Sequence, residues 1–321
     1  MPYTAKANNA GPPVCDQTAE FLFKACKTDL DEEFSVAAAN CVNESATAKQ
    51  KQTCIDAATA ARNEGRDECG GQKEARLDLC DLIGQERYAP DFDPANFDPD
   101  FSSPNTYFPL NVHDVWVYEA ADEMVTVEVL DQTKLIEGVT CRVVNDVVTS
   151  AGKLDEDTDD WFAQTWDGTI WYCGEKSAQF ESFDGDDPAL PELVGVNGSF
   201  KAGRDNAQPG TLIEGNPQVG DAFRQEVLYG EAEDAAGVLS INYSFGKHPE
   251  LDQLVPKNLA KALCHKDCLV TREFSPLNPG ASELKYYSPG IGLFLEVAAA
   301  NAEVLKLVAC KVNSVVCVLP P

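Results

Sequence analysis

The chain has 321 residues, of which 44% are hydrophobic, with 22 Gly, 19 Pro and a formal net charge of -28. That length admits one large core or two domains, and no apolar run approaches the roughly 18 residues a membrane helix needs, so a soluble protein and not an integral membrane one is expected. The acidity excludes nucleic acid and anionic membranes as natural partners, because their phosphates would face a negative field, and makes cations the natural counter-species.

Met1-Pro-Tyr-Thr-Ala-Lys6 has neither a basic flank nor an apolar stretch, so no signal peptide is visible, and removal of one is the expectation. Residues 1–13 read as a tail. Twelve cysteines at pairable spacings point to an oxidising compartment, periplasmic or extracellular. The first six, Cys15, Cys26, Cys41, Cys54, Cys69 and Cys80, have gaps that read the same in both directions. Only the nested pairing of Cys15 with Cys80, Cys26 with Cys69 and Cys41 with Cys54 suits two antiparallel helices folded back near Ala48. A disulfide-stapled helical hairpin is therefore expected over 14–84, with Leu30 facing Gly65, Phe34 facing Ala61 and Ala37 facing Ala58. Asp29 with Glu32, and Gly65 with Gly70 and Gly71, are places where either arm would divide. The pattern is similar to that of twin Cys-x9-Cys hairpins, with different spacings.

Residues 85–105 read as an extended acidic linker, with solvated carboxylates and with Phe92, Phe97 and Phe101 as anchors. From 106 to 321 short β-branched and aromatic runs bounded by Gly, Asn, Asp and Pro predict an all-β domain of about ten antiparallel strands, a barrel or else a two-sheet sandwich. The fold class is α+β, multi-domain. One short helix is expected near Leu251–Leu263. Turns are expected at Asp167-Gly168 (two-residue, type I′), Pro289-Gly290 (type II) and Asn313-Ser314. The last sets Cys310 opposite Cys317; Cys264 with Cys268, and Cys141 with Cys173, complete the pairing.

The stretches YFPL with WVYE, TKLIEGVTCRVVNDVV, EDTDDWFAQTWDGTIWYCGE, VGDAFRQE with GEAED, and KYYSPGIGLFLEV resemble a recurrent family of exported bacterial proteins of unknown activity. The resemblance covers about 210 residues and implies a single module from Tyr107 onward but brings no established catalytic residues; the preceding cysteine hairpin is similar to an extension some such proteins carry.

Familiar chemistry is missing. His113, His248 and His265 lie in no HExxH, zinc pair or Gly-x-Ser-x-Gly elbow, no phosphate loop or dinucleotide fingerprint occurs, and Cys264-His-Lys-Asp-Cys268 matches neither haem attachment nor a redox helix. Two acidic clusters offer hard oxygen ligands for Ca²⁺: Asp155, Glu156, Asp157, Asp159 and Asp160, and Asp184, Asp186 and Asp187 around Gly185. Neither follows the EF-hand pattern, and solvated loops are the competing account. A two-residue turn at Asp167-Gly168 places Phe162, Gln164, Trp166, Thr169, Trp171 and Cys173 on one face and Trp161, Ala163, Thr165, Ile170 and Tyr172 on the other. Trp161, Trp166, Trp171 and Tyr172 are the candidate ligand-binding residues; core packing is the alternative. These features favour a non-catalytic exported protein whose barrel binds a small ligand or a surface partner and whose hairpin docks. The alternatives are a subunit of an extracellular assembly, marked by an apolar patch on the hairpin and by self-assembly, and a carboxylate-dependent hydrolase, which needs converging acids with a raised pKa.

Overall fold

The structure, a computed structural model, describes residues 13–320, so the expected tail falls outside the described residues except for Pro13. The chain divides into two compact units, one up to Ala89 with Pro276–Pro279, the other Pro90–Ser275 with Gly280–Pro321.

The first unit is the helical hairpin. Each arm is a single helix, α1 (Val14–Glu44) and α2 (Ala48–Ile83), so neither the acidic pair nor the glycines divide an arm. The turn is set by Thr47, whose hydroxyl accepts from the Gln50 N–H at 3.2 Å, and α2 ends where Gly84 donates to the Cys80 carbonyl at 2.9 Å. All three nested disulfides are present, with Cα–Cα distances of 5.7, 5.9 and 5.6 Å. Gly65 admits the Leu30 side chain closely: a Cβ there would lie 2.5 Å from Leu30 Cδ2, which would have to move aside. Phe34 packs under the Arg62 guanidinium, 4.0 Å from the ring centroid. Each rung constrains the unfolded chain, a contribution of about 2–4 kcal/mol per bridge.

The second unit is one antiparallel sheet. Its strands are β1 (Val115–Ala120), β2 (Glu123–Ile136), β3 (Val139–Ser150), β4 (Lys153–Gln164), β5 (Ile170–Glu181), β6 (Glu192–Gly195), β7 (Phe200–Lys201) and β8 (Gln208–Ile213). After them come β9 (Ala222–Arg224), β10 (Glu226–Val227), β11 (Ala235–Tyr243), the helix α3 (Lys257–Leu263), β12 (Cys268–Phe274), β13 (Ser282–Ser288), β14 (Gly292–Ala298), β15 (Val304–Val312) and β16 (Val315–Val316). The order is β10-β8-β5-β4-β3-β2-β1-β15-β14-β13-β12-β11-β9. Its two ends are halves of one segment: β9 pairs with β11, β10 pairs with β8, and only Gln225 stands between them. The sheet thus returns on itself as a near-barrel rather than a sandwich. Helix α3 is shorter than the span expected for it, and β6, β7, β8 and β11 were not foreseen.

Much of the expected linker belongs to this unit. Phe97 is buried beside Phe92 and Trp171, and the Arg142 guanidinium lies 4.4 Å from the Phe101 ring. Asp98 is buried rather than solvated, accepting from Asp100 N, Ser102 Oγ and Ser103 N at 3.2, 2.9 and 2.9 Å. The late turns form as expected: Ile291 N donates to Ser288 O at 3.1 Å around Pro289-Gly290, and Asn313 and Ser314, both at positive φ, set Lys311 opposite Val316. The remaining disulfides, Cys141–Cys173, Cys264–Cys268 and Cys310–Cys317, also pair as expected.

The hairpin between β4 and β5 departs from expectation. Gly168 N donates to Thr165 O at 2.9 Å and Thr165 N to Thr169 O at 3.0 Å, so the loop is the three residues Trp166-Asp167-Gly168 with glycine at positive φ. The one-residue change of register makes Phe162 the partner of Tyr172 and Ala163 that of Trp171. Further along, Cys173 is an extra residue between the pairs Phe162–Tyr172 and Trp161–Gly174, a β-bulge. Gly174 fits it by close approach, since a Cβ would meet the Phe200 carbonyl oxygen at 2.3 Å and its φ is +133°. Gly174→Ala is therefore expected to cost on the order of 3 kcal/mol in denaturant unfolding, against about 1 kcal/mol for Gly152→Ala, a turn glycine with open space around it.

Candidate functional site

Alternation along the strands turns one residue in two toward the barrel interior, and the bulge at Cys173 resets that count so that Tyr172 and Glu175, three apart, both point inward. The interior holds a cavity of about 400 Å³. One side of its wall, from β1, β2 and β15, is largely apolar: Trp116, Tyr118, Val125, Val127, Val129 and Leu305, extended by Phe108 and Leu110. Two polar tips on that side are satisfied, Trp116 Nε1 donating to Ile291 O at 2.7 Å and Tyr118 Oη to Leu293 O at 3.0 Å.

The rest of the wall is acidic. Eight carboxylates line the cavity: Asp146 on β3, Glu156 and Asp160 on β4, Glu175 on β5, Glu226 on β10, Asp234 just before β11, Glu273 on β12 and Glu296 on β14. A single ammonium, Lys285 on β13, accompanies them. Its Nζ lies 2.9 Å from Glu273, 3.2 Å from Glu283 and 3.7 Å from Glu296, its direct cross-strand partner. Burial opposes the ammonium, yet the charges of Glu273, Glu296 and Glu283 outweigh it and hold Lys285 well above the usual lysine range. This lysine is a fixed cation, not a nucleophile.

A second acidic group has no such cation. Asp160 and Glu175 are direct cross-strand partners, and the Tyr172 hydroxyl lies in hydrogen-bond reach of both, 2.6 Å from Glu175. Two adjacent carboxylates in a largely buried wall cannot both ionise cheaply: burial and then the Glu175 charge push Asp160 far up, and burial pushes Glu175 up. Burial, with the charge of Glu156 second, raises Asp146 to about 7. Glu226 is raised well above the ordinary range by burial and by the charges of Asp234, Glu175 and Asp160.

The positions singled out from sequence fare unequally. Tyr172 lines the cavity. Trp161 is on the outer face in a cluster with Phe97, Ile136, Val139 and Cys141, under the Lys134 ammonium, and Trp171 packs against the same cluster. Trp166, in the hairpin loop, is exposed. The changed register explains the split, since slipping one residue exchanges the faces of a strand. The first acidic run is a strand, not a loop: Glu156 and Asp160 face inward, while Asp157 and Asp159 share the amide of Asn145, at 2.8 and 3.3 Å, and Asp159 pairs with Lys176 at 3.4 Å. Asp155 is the extra residue of a β-bulge, unpaired between Glu156, opposite Val148, and Leu154, opposite Thr149. Asp184, Asp186 and Asp187 occupy an exposed turn. Among the described residues no three His, Cys, Asp or Glu are grouped to hold a metal, and this includes both acidic clusters considered for Ca²⁺.

The interior carboxylates missed in sequence had a signal of their own: a charged residue inside an apolar strand, as with Asp146 among Val143, Val144, Val147 and Val148, Glu296 in LFLEVA, and Lys285 in ELKYY. Acids raised in the folded state destabilise it as pH rises: their contribution is complete below the unfolded value near 4 and is lost as pH climbs through the folded one. The melting temperature is thus expected to be several degrees higher at about pH 5 than at about pH 8, and the difference to shrink in Asp146→Asn. Equal differences in the two proteins, measured by calorimetry, would refute the role given to Asp146. In comparison with known proteins, no family model, no curated protein and no solved structure matches this chain.

Proposed function

We propose that the β unit is the binding module of an exported, non-catalytic protein and takes a small ligand into its barrel cavity. The observation that carries this reading is the wall itself: an interior of about 400 Å³, apolar on one side and lined by eight carboxylates and one ammonium elsewhere. A barrel whose function lay elsewhere would fill such a space with side chains, as small barrels do. Six disulfides fit an oxidising, non-cytoplasmic compartment, and we assign the protein to the periplasm or the exterior. The stapled hairpin is read as its docking arm.

A hydrolase is the second reading, and the raised carboxylates favour it. Hydrolysis of a glycoside requires two carboxyl groups on either side of the scissile bond, roughly 5–9 Å apart. Asp160 and Glu175 instead sit side by side on neighbouring strands and share one tyrosine hydroxyl, an arrangement suited to holding a charge. The assembly reading needs a continuous apolar stripe on the hairpin. Exposed Val14, Phe21 and Val36 of α1 fall within about 60° around the helix, but about 22 Å of helix separates Phe21 from Val36, so the stripe is not continuous.

Native mass spectrometry of the protein from its own compartment tests the binding reading. A reproducible noncovalent mass is expected, and Val148→Trp, which fills the cavity from β3, should remove it while the disulfides remain. Wild-type protein that is bare in every preparation, with no thermal shift on a panel of small organic probes, would refute it. Turnover of a chromogenic glycoside that is lost in Asp160→Asn would move the assignment to the hydrolase.

A further inference from the structure

If the cavity binds a small molecule, its wall defines the class. We propose that the ligand is an amine with an apolar body, its ammonium seated among Asp146, Glu226 and the Asp160–Glu175 pair and its hydrocarbon against β1, β2 and β15. The proposal rests on the binding reading and adds the sign of the charge and the shape of the molecule.

Four observations converge. The first is imbalance: eight lining carboxylates face one ammonium. The second is that this ammonium is already spent, since Lys285 is caged by Glu273 and Glu296 of the same wall and by Glu283 beside it. That cage shows the coordination the wall offers to a primary amine. The third is the vacancy of partners in the other group. Among the described residues, none of Asp146, Asp160, Glu175 and Glu226 makes an ion pair, and the Glu226 carboxylate has no hydrogen-bond partner. Asp146 Oδ1 is shut off from solvent with no partner. A buried acceptor in that condition is unfavourable unless a donor reaches it, and an ammonium brings three donors.

The fourth observation separates an organic cation from a metal ion. No three carboxylates are grouped to coordinate a metal among the described residues, and a bare ion has no use for the opposite wall of Trp116, Val125, Val127, Val129 and Leu305. An amine with a hydrocarbon body uses both sides. Binding also draws on the carboxylates that burial has pushed up: as the cation arrives they give up protons, so affinity strengthens as pH rises through about 7. The groups facing the seat are Asp146 and Glu156 from β3 and β4, Asp160 and Glu175 from β4 and β5, Glu226 and Asp234 from the closing segment and its neighbour, and Lys285 with Glu273 and Glu296 from β12–β14. Lys285 is the only cation among them.

The test is isothermal titration calorimetry of the full chain, disulfides intact, at about pH 8, with hexylamine, hexanol and hexanoate as probes of one length and three charges. Hexylamine is expected to bind at least about tenfold more tightly than either of the others. Glu226→Gln and, independently, Asp146→Asn should each weaken it by about tenfold, and lowering the pH to about 5 should weaken it in the wild type. Hexanol or hexanoate binding as well as hexylamine overturns the amine and leaves the binding reading standing. A wild-type protein that binds none of the three also overturns the amine; the mass-spectrometric comparison with Val148→Trp then decides separately whether the cavity is occupied by something else.

Discussion

The interior exists because one short segment serves two sheet edges. Ala222–Arg224 pairs with β11 and Glu226–Val227 with β8, and the change of partner is made at Gln225. Were this segment to pair with only one neighbour, the sheet would stay open, its two edge strands would present unpaired backbone groups, and the carboxylates of β4, β5, β12 and β14 would face water. Closure therefore converts an acidic sheet face, harmless in solvent, into an acidic chamber. Gly210 is part of the same constraint: a Cβ there would lie 2.0 Å from the Gln225 carbonyl oxygen, so β8 reaches the closing segment only as glycine.

The energetic consequence runs against stability. Placing Asp160 opposite Glu175 and Asp146 opposite Val127 asks the fold to desolvate groups it would otherwise leave in water. Part of this is relieved locally, by the Tyr172 hydroxyl and by the cage around Lys285, and the rest by protonation. Three disulfides within the barrel unit, and backbone pairing all round it, are what hold such a wall together. Cys141–Cys173 acts closest to the site, joining β3 to β5 across β4, where Ala163 is fully buried in the same outer cluster. It fixes the bulge that turns Glu175 inward.

How far the sequence could be read follows from what kind of regularity each element carries. The hairpin was legible to the level of individual disulfides because a helix repeats every 3.6 residues whatever its surroundings, and the cysteine gaps return to one face. The tight turns at Pro289-Gly290 and Asn313-Ser314 were legible because their φ values require particular residues. The candidate site was not. Asp167-Gly168 fits a two-residue loop as well as the end of a three-residue one, and that single choice decides whether Trp171 or Tyr172 faces the interior. The run from Asp155 to Asp160 reads as a solvated loop by composition, and only barrel closure makes half of it an inner wall. β11 has the quiet sequence AAGVLSINY, strand by tertiary pairing more than by propensity.

The arrangement of disulfides also bears on how the chain matures. No bond links the two units. If cysteines were joined in order as they emerged from a translocation pore, Cys41–Cys54, Cys141–Cys173, Cys264–Cys268 and Cys310–Cys317 would form correctly at once. Cys15 would be joined to Cys26 and Cys69 to Cys80. Those two errors are each other's remedy: an external thiolate opens Cys15–Cys26 by bonding to Cys15, the freed Cys26 attacks Cys69, and the released Cys80 attacks Cys15 and expels the external thiol, which yields both outer rungs. Oxidation in chain order would thus leave this protein one thiol-catalysed reshuffling cycle from its native connectivity, confined to the four sulfurs of the two outer rungs.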